Sequence, residues 1–347
     1  MTKLRVGIAG FGVVGKRRRK FIDAHPDLTT VAVCDRTFER EQTADDGLDC
    51  FSDYRRLLEQ DLDALFICMT NDMAAEVTIA GLERGLNVFC EKPPGRDLED
   101  IARVIAVERN RPGQKLMYGF NHRHHDSVRD ALKLVRSNDL GRIINLRGVY
   151  GKSKIINFET DWRTQRSIAG GGILLDQGIH MVDLLRLFAG EFVDVKSFVS
   201  NDHWGHDVED NAYALLRTGD GVVAMLHSSA TQWQHRFSLE IALEHGAIIL
   251  SGLLTSSKSY GAETLTVFNK TPADQGDPEG KTTAYDTDPS WAAEISDFAD
   301  AVLNDAPMKF GTSRDAWETM KLVSRIYCAD SEWKRRWNLT DDATLPG

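Results

Sequence analysis

Two short stretches of this chain carry residue types that could handle a proton. Glu91-Lys92-Pro93-Pro94 follows an apolar run at 87–90, and two consecutive prolines hold a backbone stiffly, which suits a lysine that must point one way. The second stretch is Gly170-Gly171-Gly172-Ile173-Leu174-Leu175-Asp176-Gln177-Gly178-Ile179-His180. Its three glycines would let a loop pass close to a ligand before a helix begins. On that helix Asp176 and His180 are four apart and share one face, with Asp183 about two turns on from Asp176. Histidine titrates nearest neutrality, so the pair suits acid–base work. The same residues also suit a carboxylate favoured by a helix N-terminus and a satisfied core histidine, and a lysine beside prolines is commonly surface. Spacing alone leaves both accounts open.

A third stretch suits a ligand rather than a reaction. Gly10-Phe11-Gly12-Val13-Val14-Gly15 is a GxGxxG directly after an apolar run and before a helical pattern. One glycine allows a tight turn, one lets the backbone approach a pyrophosphate, and one lets helix and sheet pack closely. The helix N-terminus then offers N–H groups and partial positive charge to phosphates. Asp35 ends the next apolar run, 20 residues beyond Gly15, where a carboxylate accepts hydrogen bonds from an adenosine ribose diol. A carboxylate there repels a 2′-phosphate and favours NAD; Arg36 beside it could stack on adenine or meet that phosphate, which keeps NADP open. A glycine turn in some other doubly wound fold is the competing account. The run Lys16-Arg17-Arg18-Arg19-Lys20 falls inside the first helix and reads as its solvated face, part of which could ease a cofactor's charge.

Short apolar runs at 4–9, 30–34, 64–69, 87–90 and 115–120 read as buried strands. Helical patterns at 13–24, 54–59, 73–84 and 98–108 separate them. Alternation of this kind builds a parallel sheet covered on both faces, with ligands at the carboxyl ends of its strands. Beyond about residue 140 the texture changes. Strands are predicted at 143–150, 192–200, 211–218, 222–229, 236–243, 247–250 and 264–269, with hairpin turns at Thr218-Gly219-Asp220-Gly221 and Glu244-His245-Gly246. Helices are predicted at 173–189, 291–304 and 313–328, and 270–289 reads as a long surface loop. The expected fold is therefore α/β: an N-terminal doubly wound parallel sheet over 1–121, then an α+β domain over 122–347 with a large, mainly antiparallel open sheet. A length of 347 residues fits two domains.

The formal net charge of −10 argues against nucleic acid as a bulk partner. No apolar stretch approaches the roughly 20 residues needed to span a bilayer. The N-terminus lacks the pattern of a secretory signal. Five cysteines, an odd number without CxxC, read as buried free thiols in a reducing compartment, and a cytoplasmic protein is expected.

Taken together, GxGxxG at Gly10–Gly15, Glu91-Lys92-Pro93, Gly119-Phe120-Asn121-His122-Arg123 and GGGxxxDxGxH at Gly170–His180 resemble the Gfo/Idh/MocA family of NAD(P)-dependent sugar and inositol oxidoreductases. The resemblance spans nearly the whole chain. It implies a Rossmann-type domain followed by one built on an open sheet that commonly serves oligomerisation, here a homodimer or homotetramer. It also implies Lys92, Asp176 and His180 as the catalytic trio. In that arrangement His180 would take the hydroxyl proton as a carbonyl forms, Lys92 would donate a hydrogen bond to the developing alkoxide, and Asp176 would orient the substrate or the imidazole. Where the family often has Thr-Pro-Asn followed by histidine, this chain reads Thr70-Asn71-Asp72-Met73-Ala74-Ala75-Glu76. Thr70 and Asn71 can still meet the cofactor near its pyrophosphate and ribose. With the glycine loop, Asp35, Arg36, Glu91, Lys92 and Asn121 they form the expected cofactor set.

The loop at 151–169 carries Lys152, Lys154, Trp162, Arg163 and Arg166, with Tyr150 just before it. Cations and an aromatic surface could hold a sugar ring and a phosphate or carboxylate, so a nucleotide-sugar is the preferred substrate, ahead of a free sugar or inositol. The competing account is a loop of salt bridges at a subunit contact. Arg123, after the last strand of the first domain, is expected to line the cleft with Asn121. His122, His124, His125, His203 and His206 show no zinc-site spacing and read as surface or substrate-contact residues, so no metal is expected. Rival readings are an NADP-dependent keto-sugar reductase, a hydride exchanger between aldoses, and a non-catalytic sugar or dinucleotide sensor. A base poised with a lysine weighs against the sensor.

Overall fold

A computed structural model describes residues 3–153, 162–255, 260–270, 276–340 and 345. Lys154 lies outside the described residues. The chain forms two compact units: Met1–Asn121 with Trp291–Glu318 and Ala343–Gly347, and His122–Ser290 with Thr319–Asp342.

The first unit is built on seven strands: β1 (Leu4–Ala9), β2 (Leu28–Cys34), β3 (Gln42–Thr43), β4 (Asp49–Phe51), β5 (Ala64–Ile67), β6 (Asn87–Glu91) and β7 (Leu116–Gly119). Their order across the sheet is β3-β4-β2-β1-β5-β6-β7, parallel except for the β3–β4 pair. The chain runs outward from β1 in one direction and from β5 in the other, so a crevice opens beyond their carboxyl ends. Ala64–Ile67 is buried at every position, as a central parallel strand covered on both faces must be. Helices α1 (Val13–Ala24), α2 (Tyr54–Leu57), α3 (Asn71–Glu83) and α4 (Leu98–Glu108) connect the strands.

The expected boundary placed everything after residue 121 in the second domain. Instead the helix Ser290–Leu303, from Trp291 on, belongs to the first unit. Phe298 meets Phe66 edge-on at 5.3 Å and Phe89 at 5.9 Å, while Phe66 and Phe89 stack at 4.8 Å. Aromatic pairs of this geometry are worth about 0.5–1.5 kcal/mol each beyond their burial. Ile295, Phe298 and Ala299 thereby complete the core formed by Val6, Ile8, Phe66 and Phe89.

The second unit carries eight strands: β8 (Ile143–Gly151), β9 (Phe192–Ser200), β10 (Asn211–Thr218), β11 (Val223–Ser229), β12 (Arg236–Leu243), β13 (Gly246–Ser251), β14 (Glu263–Asn269) and β15 (Gly280–Tyr285). Their order is β15-β14-β13-β12-β8-β11-β10-β9, antiparallel except where β8 meets β11. β10 alternates buried and exposed positions over most of its length, so one face packs inward and the other does not. The strand Gly280–Tyr285 falls within the stretch expected to be loop. It is an edge strand exposed along nearly its whole length, so it has no apolar alternation to announce it; Thr282 pairs with Thr266, their hydroxyls 2.8 Å apart. The helix Asp126–Ser137 was also not foreseen, although Val128, Ala131 and Leu132 are buried at helical spacing.

Candidate active site

In the first unit the glycine loop, Asp35, Arg36, Thr70, Asn71, Glu91 and Lys92 all lie at or just beyond the carboxyl ends of β1, β2, β5 and β6. Asn121 opens a short 3-10 turn after β7. The glycines divide their work unequally. A Cβ on Gly10, at φ +90°, would stand 2.3 Å from the Cys68 carbonyl oxygen, and one on Gly15 would stand 2.0 Å from that of Gly10. A Cβ on Gly12 would meet nothing within 4 Å. Gly10 and Gly15 therefore let the backbone close on itself, and Gly12 leaves the outer side of the loop open for a pyrophosphate. Gly12 also caps α1 without a side-chain hydrogen bond, and the first turn holds no acidic residue. Phe11 and Val14 are half-buried, whereas Val13 is 77% exposed on the loop.

Asp35 is tied to this loop. Its Oδ2 accepts from Phe11 N at 2.8 Å, and its Oδ1 accepts from Thr37 N at 3.0 Å and Thr37 Oγ1 at 2.8 Å. Partial burial works against its charge, but the Thr37 and Phe11 hydrogen bonds, helped by Arg36, outweigh it and hold the carboxyl below the ordinary range. A charged, oriented carboxylate at this place fits a ribose diol. These features together fit a dinucleotide.

Lys92 is half-buried and joined to Pro93 by a cis bond. The carboxylate of the preceding Glu91 faces Arg18, whose Nε donates to Glu91 Oε1 at 2.6 Å. This corrects the reading of the basic run as a solvated face. Lys16 and Lys20 are exposed, but Arg18 is 0% exposed and Arg17 lies 4.9 Å over the Trp291 ring. A run of like charges conceals one buried member because burial depends on partners brought from distant parts of the chain.

In the second unit Asp176 and His180 do not share one regular helix. Leu174–Gly178 is a π-helical turn, and an α-helix begins at Ile179 and runs to Ala189. Gly178 permits close packing there, since a Cβ would stand 2.4 Å from Ser228 Oγ. Single π-turns inside helices occur often at functional sites. Two of the three glycines before it serve the protein's own packing. A Cβ on Gly171 would stand 2.3 Å from the Tyr327 hydroxyl, and one on Gly172 would stand 2.1 Å from the Glu209 carbonyl oxygen.

Glu209 was missed by the sequence reading. Fully buried, it accepts from Gly172 N at 2.7 Å, Leu174 N at 2.9 Å and the Tyr327 hydroxyl at 2.6 Å. Burial pushes its carboxyl up, partly offset by the hydrogen bonds from Tyr327 and Gly172. It holds the entry to the turn that carries Asp176. No local pattern flags it, because its partners lie 37, 35 and 118 residues away.

Asp176 accepts from Lys152 Nζ at 3.4 Å through Oδ2, and Arg163 Nε stands 3.8 Å from its Oδ1. The Arg163 guanidinium lies 4.4 Å over the Trp162 ring. Lys152, Trp162, Arg163 and Asp176 are thus brought together. His180 is 4% exposed, and its ring stacks on that of His122 with centroids 3.7 Å apart and planes 10° from parallel. His122 Nε2 is 3.0 Å from the Tyr150 hydroxyl. Burial pushes the Tyr150 phenol well up, so it stays protonated and its O–H is available as the donor.

Several expectations for this unit are corrected. His122, His124 and His125 are buried rather than surface residues; His125 Nδ1 lies 2.9 Å from Glu263 Oε2. Arg123, expected at a cleft, is 4% exposed and donates from Nε and Nη2 to Asp183 at 2.7 and 2.6 Å. The match of guanidinium fork and carboxylate makes it an internal brace for the helix Ile179–Ala189. No group of three or more metal-ligating side chains is present among the described residues.

A doubly wound sheet with an open glycine loop, and a second unit with a carboxylate on a π-turn and an imidazole on the α-helix that follows, define a dinucleotide-linked oxidoreductase architecture. Residues 4–120 match the family described as "Oxidoreductase family, NAD-binding Rossmann fold", and residues 128–249 match the GFO/IDH/MocA C-terminal domain. Levoglucosan dehydrogenase of Pseudarthrobacter phenanthrenivorans is 27% identical over 332 residues, 82% of this chain and 80% of that protein. A dTDP-3,4-didehydro-2,6-dideoxy-alpha-D-glucose 3-reductase of Streptomyces antibioticus is 30% identical over 70% of this chain and 73% of that one. Among solved structures, a levoglucosan dehydrogenase in complex with NADH superimposes with TM-score 0.83, covering 96% of this chain and 98% of that one at 22% identity, a likeness of fold. The chain belongs to the Gfo/Idh/MocA family and is an NAD(P)-dependent oxidoreductase.

Proposed function

We propose that this enzyme moves a hydride between NAD(P) and a ring carbon of a sugar, with Lys92, Asp176 and His180 as its catalytic residues. The observation that carries the reading is the placement of Asp176 on the braced π-turn and of His180 on the helix that follows it, the carboxylate facing Lys152 and Arg163 and the imidazole stacked on His122. Bound NAD(P) supplies the hydride acceptor or donor. His180 takes the proton of the reacting hydroxyl, or returns it in the reductive direction. Lys92 donates a hydrogen bond to the oxygen on which negative charge develops. Asp176 accepts from neighbouring sugar hydroxyls, and Tyr150 steadies the histidine stack through His122.

The dinucleotide is assigned to Gly10, Phe11, Gly12, Val13, Val14, Gly15, Asp35, Arg36, Thr70, Asn71, Asn121 and the backbone around Glu91 and Lys92. Because Asp35 keeps its charge, NADH should bind more tightly than NADPH, and fluorescence titration of both tests this. The substrate takes one of two forms. Three ligand-facing groups, Lys152, Arg163 and Trp162, suit the phosphate and ring of a nucleotide-sugar. Pairing of both cations with Asp176 suits a neutral sugar instead. Initial rates of NAD+ reduction on levoglucosan, methyl D-glucoside, myo-inositol and UDP-glucose decide between them. With a nucleotide-sugar, Arg163→Ala raises KM about tenfold or more, the size of a lost charge-assisted contact, at unchanged Tm. Reduction with none of the four, at saturating cofactor, would count against a sugar dehydrogenase.

A second copy of the chain is the proposed partner for the outer face of the larger sheet, giving a homodimer or homotetramer. Phe198 is 79% exposed and pairs in register with Tyr213, 47% exposed; Leu215, 51% exposed, pairs with Met225, 45% exposed. A contiguous apolar patch across β9, β10 and β11 marks an interaction surface. Replacing both Phe198 and Met225 by Asp should yield a monomer by light scattering where the wild type is oligomeric. A wild-type monomer at micromolar concentration overturns this assignment. All five cysteines are free thiols, and no described helix is long and apolar enough to cross a membrane. The reading places the enzyme in the cytoplasm.

A further inference from the structure

Arg18 is the least expected charge in the first unit. It lies on α1, three residues past the last glycine of the loop, and its side chain is 0% exposed. Its Nε donates to Glu91 Oε1 at 2.6 Å and its Nη2 to Glu294 Oε2 at 2.6 Å. The guanidinium sits 4.4 Å over the Phe89 ring and 4.3 Å over the Trp291 ring. A buried cation is tolerated only when matched this closely, and the match works both ways by immobilising its partners.

The partner that bears on chemistry is Glu91, the last residue of β6, with Lys92 next in the chain. A Cβ on Gly119 would stand 3.0 Å from Glu91 Oε2 and 3.3 Å from Arg18 Nη2, so glycine there leaves the ion pair room. Glu294 is the weaker anion: burial pushes its carboxyl up to about 8, Arg18 pulls it down and Glu91 pushes it up again. Lys92 follows Glu91 directly, at the bend where β6 ends, so holding Glu91 in place fixes the backbone from which the Lys92 side chain starts. The same guanidinium is carried by the helix that starts at the glycine loop, so loop and lysine share one anchor.

We propose that Arg18 is a positioning residue for hydride transfer, setting the orientation of Lys92 relative to the glycine loop by gripping Glu91. This rests on the role given to Lys92 above. The test compares Arg18→Met, Glu91→Ala, their double variant and Lys92→Met. It reads NADH Kd by fluorescence, and kcat and KM with the fastest sugar of the four named above. Arg18→Met and Glu91→Ala should each lower kcat about 10–100-fold, the scale of a small misplacement of a reacting group. KM and NADH Kd should stay within about threefold of wild type. The double variant should be no slower than the slower single one, because both break one link.

An unchanged kcat in Arg18→Met, losses that multiply in the double variant, or NADH affinity falling in step with kcat each overturn the proposal. Should Arg18→Met fail to fold, Arg18→Met/Glu294→Leu, which removes one stranded carboxylate, is judged by the same criteria. A crippled Lys92→Met beside a normal Arg18→Met sinks the positioning role alone. A near-normal Lys92→Met sinks the lysine's role and this inference with it.

Discussion

His180→Ala should lower turnover by about 10²–10⁴-fold, the usual worth of a positioned general acid or base, while NADH binds as it does to the wild type. The expectation comes from what the ring can do where it stands. It is 4% exposed, lies on a helix whose entry Glu209 holds, and stacks at 3.7 Å on His122. A core histidine of purely structural value would, when truncated, cost Tm and disturb cofactor affinity along with rate. A catalytic base costs rate alone. The measurement is kcat at saturating cofactor and sugar, beside NADH fluorescence titration and thermal melting on the same sample. Turnover within a few-fold of wild type would remove His180 from the mechanism.

Lys92→Met should lower kcat by about 10²–10³-fold, the loss found when one donor to a developing oxyanion is removed. Methionine approximates the unbranched stem of lysine out to Cε, with sulfur at the δ position, and lacks the ammonium, so folding is expected to survive. The NADH Kd separates this loss from a binding defect. If the ammonium acts in the transition state, KM for the sugar moves little while kcat falls; if it merely binds the ground state, KM rises and kcat holds. The second outcome would reassign Lys92 to substrate binding. Both variants should also be assayed in the reductive direction, where the same groups must serve in reverse.

Much of the architecture is legible before any coordinates. The helices Val13–Ala24 and Leu98–Glu108 and the strands Leu4–Ala9, Phe192–Ser200, Asn211–Thr218 and Arg236–Leu243 are found at their expected bounds. Each has strong periodicity and a glycine or turn signal at an end, so its cue is local. The strand Gly280–Tyr285 escapes because an edge strand exposed along nearly all its length shows no apolar alternation. The joining of the helix Ser290–Leu303 to the first unit escapes for another reason. Its apolar face is visible in the sequence, but which core it enters depends on Phe298 fitting between Phe66 and Phe89, more than 200 residues earlier.

The candidate site divides along the same line. Residue types and short spacings single out the glycine loop and Asp35 and mark Lys92, Asp176 and His180 as candidates, while the family resemblance is what gives those three their roles. Partner choice is invisible at that level. Arg18 looks like one cation among five in a row, yet it alone is buried between Glu91 and Glu294. Arg123 looks ready for a ligand, yet its fork is taken by Asp183. Glu209 has no motif, yet it caps the turn that carries Asp176. A charge reveals its role only through the groups that share its desolvated space, and in a folded chain those come from far along the sequence.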